Sequence, residues 1–151
     1  MCPELSHVCT IEANVAAIRD LGATPHGRRR IVPILGGTVR GPRLEAEILP
    51  GGADWQSVRS DGVVELVARY SIRTRDGAEI VVVNRGLRRA SPEVMERLSR
   101  GEAVDPALVY CRTTPQFEAR AGPYEWLNRS VFVASAERRP DSVLIEVFEL
   151  L

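Results

Sequence analysis

The chain has 151 residues, enough for a single domain over 1–151 whose core needs neither a disulfide nor a metal ion to hold it. Twenty basic and twenty acidic residues cancel, so the basic footprint that a nucleic-acid partner requires is missing. Three cysteines without a CxxC pair, no export signal and no apolar run near the ~18 residues of a membrane helix lead us to expect a cytoplasmic protein that binds no membrane.

Alternating apolar and polar residues predict a chain made mostly of short strands. The strands are expected at 5–13, 29–41 and 43–50, on both sides of Asp76-Gly77 within 62–87, at 107–119 up to Pro115, and on both sides of Pro140-Asp141 within 130–150. The one convincing helix is 91–101, where Ser91 can cap the start, Pro92 suits the first helical position and Gly101 can end the helix.

About eight strands with short turns and one short helix predict an all-β fold, either a closed antiparallel barrel or a sandwich. Gly36-Gly37 lies inside a strand and indicates a sharp bend, which favours the barrel. A barrel of about eight strands has room inside for side chains or for one small ligand. Segment 14–27 is predicted as a connecting loop rather than a short helix, because Gly22 and Pro25 interrupt it.

The stretch PGGADWQ, residues 50–56, is predicted as a glycine-hinged loop at the mouth of this barrel. Burying a Trp is worth about 4–6 kcal/mol by area, so Trp55 is expected to pack on the rim or on a ligand. Asp54 beside it either caps a turn or enters a pocket. For Trp126, in AGPYEWLN, packing on the core is the simplest expectation.

Two charged residues of segment 107–119, Arg112 and Glu118, are further candidates for the site. Arg112 has two orientations open to it, outward at the strand end or inward at the barrel mouth, where it would need a carboxylate partner. Glu118 or Asp54 could be that partner. Two carboxylates in a half-apolar cavity also suit acid–base chemistry, because burial raises a carboxyl pKa towards neutrality.

Motifs for metal, nucleotide or triad chemistry are missing from the sequence. His7 and Cys9 alternate on one strand face, but no further ligand has the spacing of a metal site. No phosphate loop and no nucleophile motif is found, and Cys111 lies among apolar residues. We therefore expect no metal and no cofactor.

Several stretches resemble one family: GRRRIVPILGGTVRGPRLEAEILPGGADWQ, DGVVELVARYSIRTRDGAEIVVVNRGLR and YCRTTPQFEARAGPYEWLNRSVFVA. Over about 5–151 the chain resembles the domain-of-unknown-function 3237 family, also called uncharacterised protein family 0311. The resemblance implies a lipocalin-like, calycin-type β-barrel and no particular activity. Cys111 departs from the aromatic residue that is frequent in the family. The polar and aromatic positions that the resemblance marks as site residues are Asp54, Trp55, Arg69, Tyr70, Asn84, Arg112, Glu118, Tyr124 and Trp126.

Three functions remain open at this point. The first is a cofactor-independent enzyme of the lyase or isomerase type, in which Glu118 or Asp54 moves a proton on a small aromatic or polyketide-like molecule. The second is a binding barrel for a small organic anion. The third is an assembly role, with a filled interior; a homodimer is expected in any case. The groups expected to stabilise negative charge in the enzyme are Arg112 or Arg69, with Tyr70 and Asn84.

Overall fold

Strands make up most of the structure, as the alternating sequence predicts. The computed structural model describes residues 1–151. Its strands are β1 (Leu5–Val15), β2 (Arg19–Thr24), β3 (Gly27–Arg40), β4 (Ala46–Ile48), β5 (Gly52–Val58), β6 (Val64–Thr74), β7 (Glu79–Arg89), β8 (Tyr110–Glu118), β9 (Val131–Arg138) and β10 (Ser142–Leu150). One helix, α1 (Pro92–Ser99), and two 3₁₀ turns, Pro106–Leu108 and Glu125–Arg129, complete the chain. None of these helices has the length and apolar character needed to cross a membrane.

The strands form one antiparallel sheet that closes on itself. Neighbouring strands run in the order β1, β10, β9, β8, β7, β6, and β3 pairs back onto β1. The gap between β6 and β3 is filled by β5 and β4, which pair with successive parts of both strands. Strand β2 pairs with the first part of β3, beside the part that pairs with β1. The predicted closed barrel of eight strands is confirmed, with two extra short strands and one helix.

Gly36-Gly37, where the sequence predicts a bend, lie within β3. Both glycines have positive φ, +155° and +139°, and the register between β1 and β3 shifts at this point. A Cβ atom on Gly37 would lie 2.0 Å from the carbonyl oxygen of Glu12 in β1. Glycine therefore permits the close approach of the two strands that close the barrel.

Two segments that were predicted as loops are strands. The loop predicted at 14–27 is wrong, because Arg19–Thr24 pairs with β3, and Gly22 (φ +83°) accommodates a register shift there. The loop predicted at 50–56 is also wrong, because Gly52–Val58 pairs with β3 on one side and β6 on the other. In both cases pairing with a long neighbouring strand outweighs the local turn preference of glycine.

Strand β8 continues through Pro115, where the sequence predicted its end. It pairs with β9 only at Arg112 and Thr113, so its later part has a neighbour on one side only. A proline is tolerated on such an edge because its missing N–H leaves no ladder hydrogen bond unmade.

Beyond the end of β8, the side chain of Asn128 holds the backbone of Ala119. Its Oδ1 accepts a hydrogen bond from the Ala119 N–H at 2.8 Å, and its Nδ2 donates one to the Ala119 carbonyl oxygen at 2.7 Å.

The two ends of the barrel differ in packing. One end is filled by large side chains, with the rings of Phe117 and Phe132 in edge-to-face contact at 5.1 Å. The predicted helix is confirmed at the other end: Ser91 caps it, and Met95 packs towards Leu66 and Cys111. Between these two layers the interior contains a group of polar side chains.

Candidate functional site

A cavity of about 60 Å³ lies inside the barrel, on the side of the interior that faces α1. The wall of the cavity is formed by eight strands, which are β1, β3 and β5 to β10, and most of the lining is apolar. Seven polar side chains interrupt that lining: Asp54 and Gln56 from β5, Tyr70 from β6, Asn84 and Arg88 from β7, Thr113 from β8 and Arg138 from β9. A mostly apolar cavity with a few convergent polar groups is the common form of a small-molecule site.

Strand alternation explains why these side chains converge. Every second residue of a strand points to the same face, so Asp54 and Gln56 share the inner face of β5. The same period places Asn84 and Arg88 on the inner face of β7. Register then aligns the strands, since Ala68 lies between Asp54 and Asn84 as the partner of both.

Asp54 carries the only carboxyl group on the cavity wall. Its Oδ2 accepts a hydrogen bond from Gln56 Nε2 at 2.8 Å, while its buried Oδ1 has no partner. Burial raises the pKa of Asp54, against the opposing effects of the Gln56 hydrogen bond and of the charge on Arg88. A carboxyl with a raised pKa can both take up and release a proton closer to neutral pH.

The cavity collects every unpartnered buried polar side-chain atom of the protein. Buried polar groups in native proteins are nearly always hydrogen-bonded, because leaving one unpaired costs about 1–3 kcal/mol. Here seven such atoms surround one space: Asp54 Oδ1, Gln56 Oε1, Tyr70 Oη, Asn84 Oδ1, Arg88 Nε, Thr113 Oγ1 and Arg138 Nε. Such a concentration is typical of a binding site rather than of a core.

Two arginines on the cavity wall are free of ion pairs. Arg88 is only 6% exposed and Arg138 is half-buried, and neither forms a salt bridge. Burial lowers the pKa of Arg138, and the nearby charge of Arg88 lowers it further. Burial and Arg88 also lower the pKa of Arg30, which lies two residues before the cavity-lining Val32. Positive charge is therefore concentrated in this part of the barrel.

Three of the residues predicted for the site line the cavity together: Asp54, Tyr70 and Asn84. Burial raises the pKa of the Tyr70 phenol, which keeps it a neutral hydrogen-bond donor. The other six predicted residues lie elsewhere, and their functional roles stay predictions from the sequence.

Trp55 and Arg69 point away from the cavity. Trp55 is 49% exposed, because β5 is a strand and successive residues face opposite sides. The expectation that Asp54 and Trp55 lie together over the barrel mouth is wrong, because it assumed a loop and the segment is a strand. Arg69 is exposed on β6 for the same reason, next to the inward-facing Tyr70.

Arg112 and Glu118 also lie on the outer face. Arg112 takes the outward orientation of the two left open, 5.2 Å above the ring of Tyr110, and donates a hydrogen bond to the carbonyl oxygen of Cys111. Glu118 is exposed at the end of β8. The inner face of this strand carries Cys111 and Thr113 instead.

Tyr124 and Trp126 lie next to the packed end of the barrel. The Tyr124 hydroxyl donates a hydrogen bond to Asp76 at 2.9 Å. Trp126 contacts the ring of Phe132, with 6.0 Å between centroids, and Arg43 stacks over it at 4.1 Å. Trp126 therefore packs on the core, as its position in the sequence suggested.

Sequence reasoning missed four polar residues of the cavity. Gln56 follows Asp54 by two positions and Arg88 follows Asn84 by four, so each shares a face with a predicted residue. Thr113 and Arg138 share inner faces with buried neighbours, Cys111 and Ala134. Counting in steps of two from Asp54 and Asn84 would have found the first pair.

The donor set of the cavity suits proton transfer and anion stabilisation. No group of three or more His, Cys, Asp or Glu side chains comes together anywhere in the structure. Cys111 lines the cavity, but burial raises the pKa of its thiol, so the reactive thiolate is disfavoured. What the cavity offers is one carboxyl group, two guanidinium groups and four neutral hydrogen-bonding side chains.

Comparisons with known proteins agree with this architecture. A UPF0311 protein of Rhodopseudomonas palustris is 43% identical over 148 residues, which cover 98% of this chain and 97% of that protein. The crystal structure of that protein, described as being of unknown function, superposes with a TM-score of 0.93 at 41% identity and covers 100% of this chain and 99% of that chain.

Two further solved structures share the fold. A beta-barrel like protein from Acinetobacter baumannii has a TM-score of 0.86 at 37% identity and covers 100% of this chain and 98% of that chain. A protein from Penicillium herquei, described as an enzyme, has a TM-score of 0.74 at 18% identity and covers 100% and 96%, which shows a shared fold alone. The model of the family "Protein of unknown function (DUF3237)" matches residues 3–150, and the chain belongs to that family.

Proposed function

We propose that the protein is a small acid–base enzyme of the isomerase or lyase type, with its active site in the barrel cavity. The observation that supports this most is the gathering of all seven unpartnered buried polar atoms around the single cavity carboxyl, Asp54. Desolvated and unpaired groups of this kind are costly to maintain, and active sites are where proteins maintain them.

Asp54 is the proposed proton-transfer group. Its Oδ2 is held by Gln56, so the free Oδ1 is the oxygen that can accept a proton from a carbon or oxygen of the ligand. Burial raises the pKa of Asp54, which brings the base closer in strength to the weak acids it must deprotonate. This assigns to Asp54 one of the two catalytic roles predicted from the sequence.

Negative charge that develops on the ligand would be stabilised by the hydrogen-bond donors of the cavity wall. Arg88 and Arg138 carry unpartnered Nε–H donors, and Thr113 and Tyr70 carry unpartnered hydroxyls. Donors that are fixed in place before the reaction and shielded from water stabilise an oxyanion most strongly. Proton removal next to a carbonyl group, followed by reprotonation or by loss of a leaving group, would use this whole set.

The fold supports the proposal in a limited way. The Penicillium herquei protein described as an enzyme has the same barrel fold, so a barrel of this kind is compatible with catalysis. Its identity to this chain is 18%, which is too low to assign a substrate to this chain from that protein. A cytoplasmic location and a homodimer stay predictions from the sequence.

A binding barrel without chemistry is the second candidate. The specific observation in its favour is that two cavity arginines face one carboxylate, which suits capture of an organic anion without any reaction. An assembly role with a filled interior gains no support, since the interior contains a cavity of about 60 Å³.

Deuterium exchange tests the enzyme proposal without knowledge of the natural substrate. Pyruvate, 2-oxobutyrate, 4-oxopentanoate and neutral butanone are incubated with the protein in D₂O, and loss of the C–H signal next to the carbonyl is followed by proton NMR. We expect exchange well above the buffer rate for at least one probe, because Asp54 would remove the proton and solvent would return a deuteron. Probes that bind but do not exchange would leave the binding barrel as the function.

A further inference from the structure

We infer that the ligand of the cavity is a short-chain organic acid whose carboxylate is bound between Arg88 and Arg138. This deepens the proposed function, because it names the substrate class of the same site. The inference depends on three features of the cavity, which are its charge, the free donors of its arginines and its size.

The charge inside the cavity is not balanced by the protein. Asp54 supplies the one acidic side chain of the wall, against Arg88 and Arg138. The other titratable side chains that face the space, Tyr70 and Cys111, are held neutral by burial, which raises the pKa of both. The interior therefore has an excess of one positive charge when Asp54 is ionised, and of two when it is protonated.

The excess of positive charge in the cavity is local. The chain as a whole has equal numbers of basic and acidic residues, and eleven Arg–carboxylate ion pairs are formed on other parts of the molecule. Burying an unpaired charge costs several kcal/mol. Arg88, at 6% exposure, is thus a position where an anion from outside would be bound favourably.

The free donors of the two arginines fit a carboxylate. Each arginine has an unpartnered Nε–H, the atom that with a terminal N–H forms a two-pronged hydrogen-bonding edge. A carboxylate presents two oxygens with matching spacing, which gives the strong bidentate pair. Arg88 and Arg138 both line this one cavity, and the charge of Arg88 lowers the pKa of Arg138, so the two guanidinium groups are close enough to act on one anion.

The size of the cavity limits the enclosed part of the ligand. At about 60 Å³ the cavity is less than half the size of the ~150 Å³ cavity that holds a benzene ring. The enclosed space thus takes a carboxylate with a few attached carbons. The apolar wall, which includes Val32, Ile34 and Ala68, suits a short hydrocarbon chain rather than a sugar or a phosphate ester.

The test compares propionate with propionamide, which has nearly the same shape and no charge. Ligand-observed NMR titrations are run on the wild type, on Arg88→Gln and on Arg85→Gln. Arg85 is the matched control, an exposed arginine on the outer face of the same strand. We expect propionate to bind at least tenfold more tightly than propionamide to the wild type and to Arg85→Gln, and this preference to be lost in Arg88→Gln.

Equal affinity for the two probes, or an unchanged preference in Arg88→Gln, would overturn the inference. Thermal unfolding checks that each variant is folded, and Arg138→Gln replaces Arg88→Gln if the latter is not. If the protein exchanges the protons of butanone but binds propionate no more tightly than propionamide, the carboxylate site is wrong and the acid–base enzyme stands. If it prefers propionate but exchanges the protons of no probe, the enzyme proposal is wrong and the carboxylate site stands.

Discussion

Replacing Asp54 with Asn should lower the deuterium-exchange rate of a responsive probe by about 10²–10⁴-fold, the usual contribution of a positioned acid–base group. The amide keeps the shape of the side chain and can still bond Gln56, but it cannot accept the proton. The measurement is the initial rate of C–H loss by proton NMR in D₂O, with probe affinity measured in parallel. Affinity is expected to change by only a few fold.

Glu65→Gln is the matched control, because Glu65 is an exposed carboxylate on the neighbouring strand β6. Exchange by the wild type should also rise with pH through the raised pKa of Asp54, since the ionised form is the base. An unreduced exchange rate in Asp54→Asn, or a wild-type exchange rate that does not rise with pH, would remove Asp54 from the mechanism.

Replacing Gly37 with Ala should destabilise the protein by about 2–6 kcal/mol. The expected loss combines about 1–3 kcal/mol of backbone strain at φ +139° with about 1–3 kcal/mol for the clash with Glu12. A backbone carbonyl cannot move aside as a flexible side chain can, so the β1–β3 pairing that closes the barrel must shift. Urea unfolding followed by circular dichroism measures the effect.

Gly51→Ala separates the two causes of that loss. Gly51 also has positive φ, +105°, but no atom lies within 4 Å of the position of its Cβ. This variant should lose only the strain, about 1–3 kcal/mol. Equal losses in the two variants would mean that close approach at Gly37 does not matter for closure.

Much of the fold could be predicted from the sequence because the strands alternate strongly. The hairpin around Asp76-Gly77 and the capped helix are each specified by local residues, and both are confirmed. The two segments wrongly predicted as loops share one cause. The residues around Gly22 and Gly51-Gly52 have weak local preferences, and pairing with longer strands makes them strands: β3 in both cases, and also β6 for β5.

The site could be predicted only in part. Asp54 and Asn84 are recognisable as polar residues in family motifs, but the faces of their strands had to be known to find their neighbours. Reading 50–56 as a loop hid the alternation that separates Asp54 from Trp55 and joins it to Gln56. Arg88 and Arg138 are fifty positions apart in the sequence, and only barrel closure brings them to one cavity.

The most direct test of the proposed anion site in the barrel cavity is a crystal structure of the protein soaked with propionate. We expect a propionate inside the barrel, with its carboxylate oxygens within about 3.2 Å of nitrogens of Arg88 and Arg138 and its chain towards Asp54. A barrel interior in which Asp54 and the two arginines pair with one another and leave no space, with propionate only on the outer face near Arg112, would contradict it.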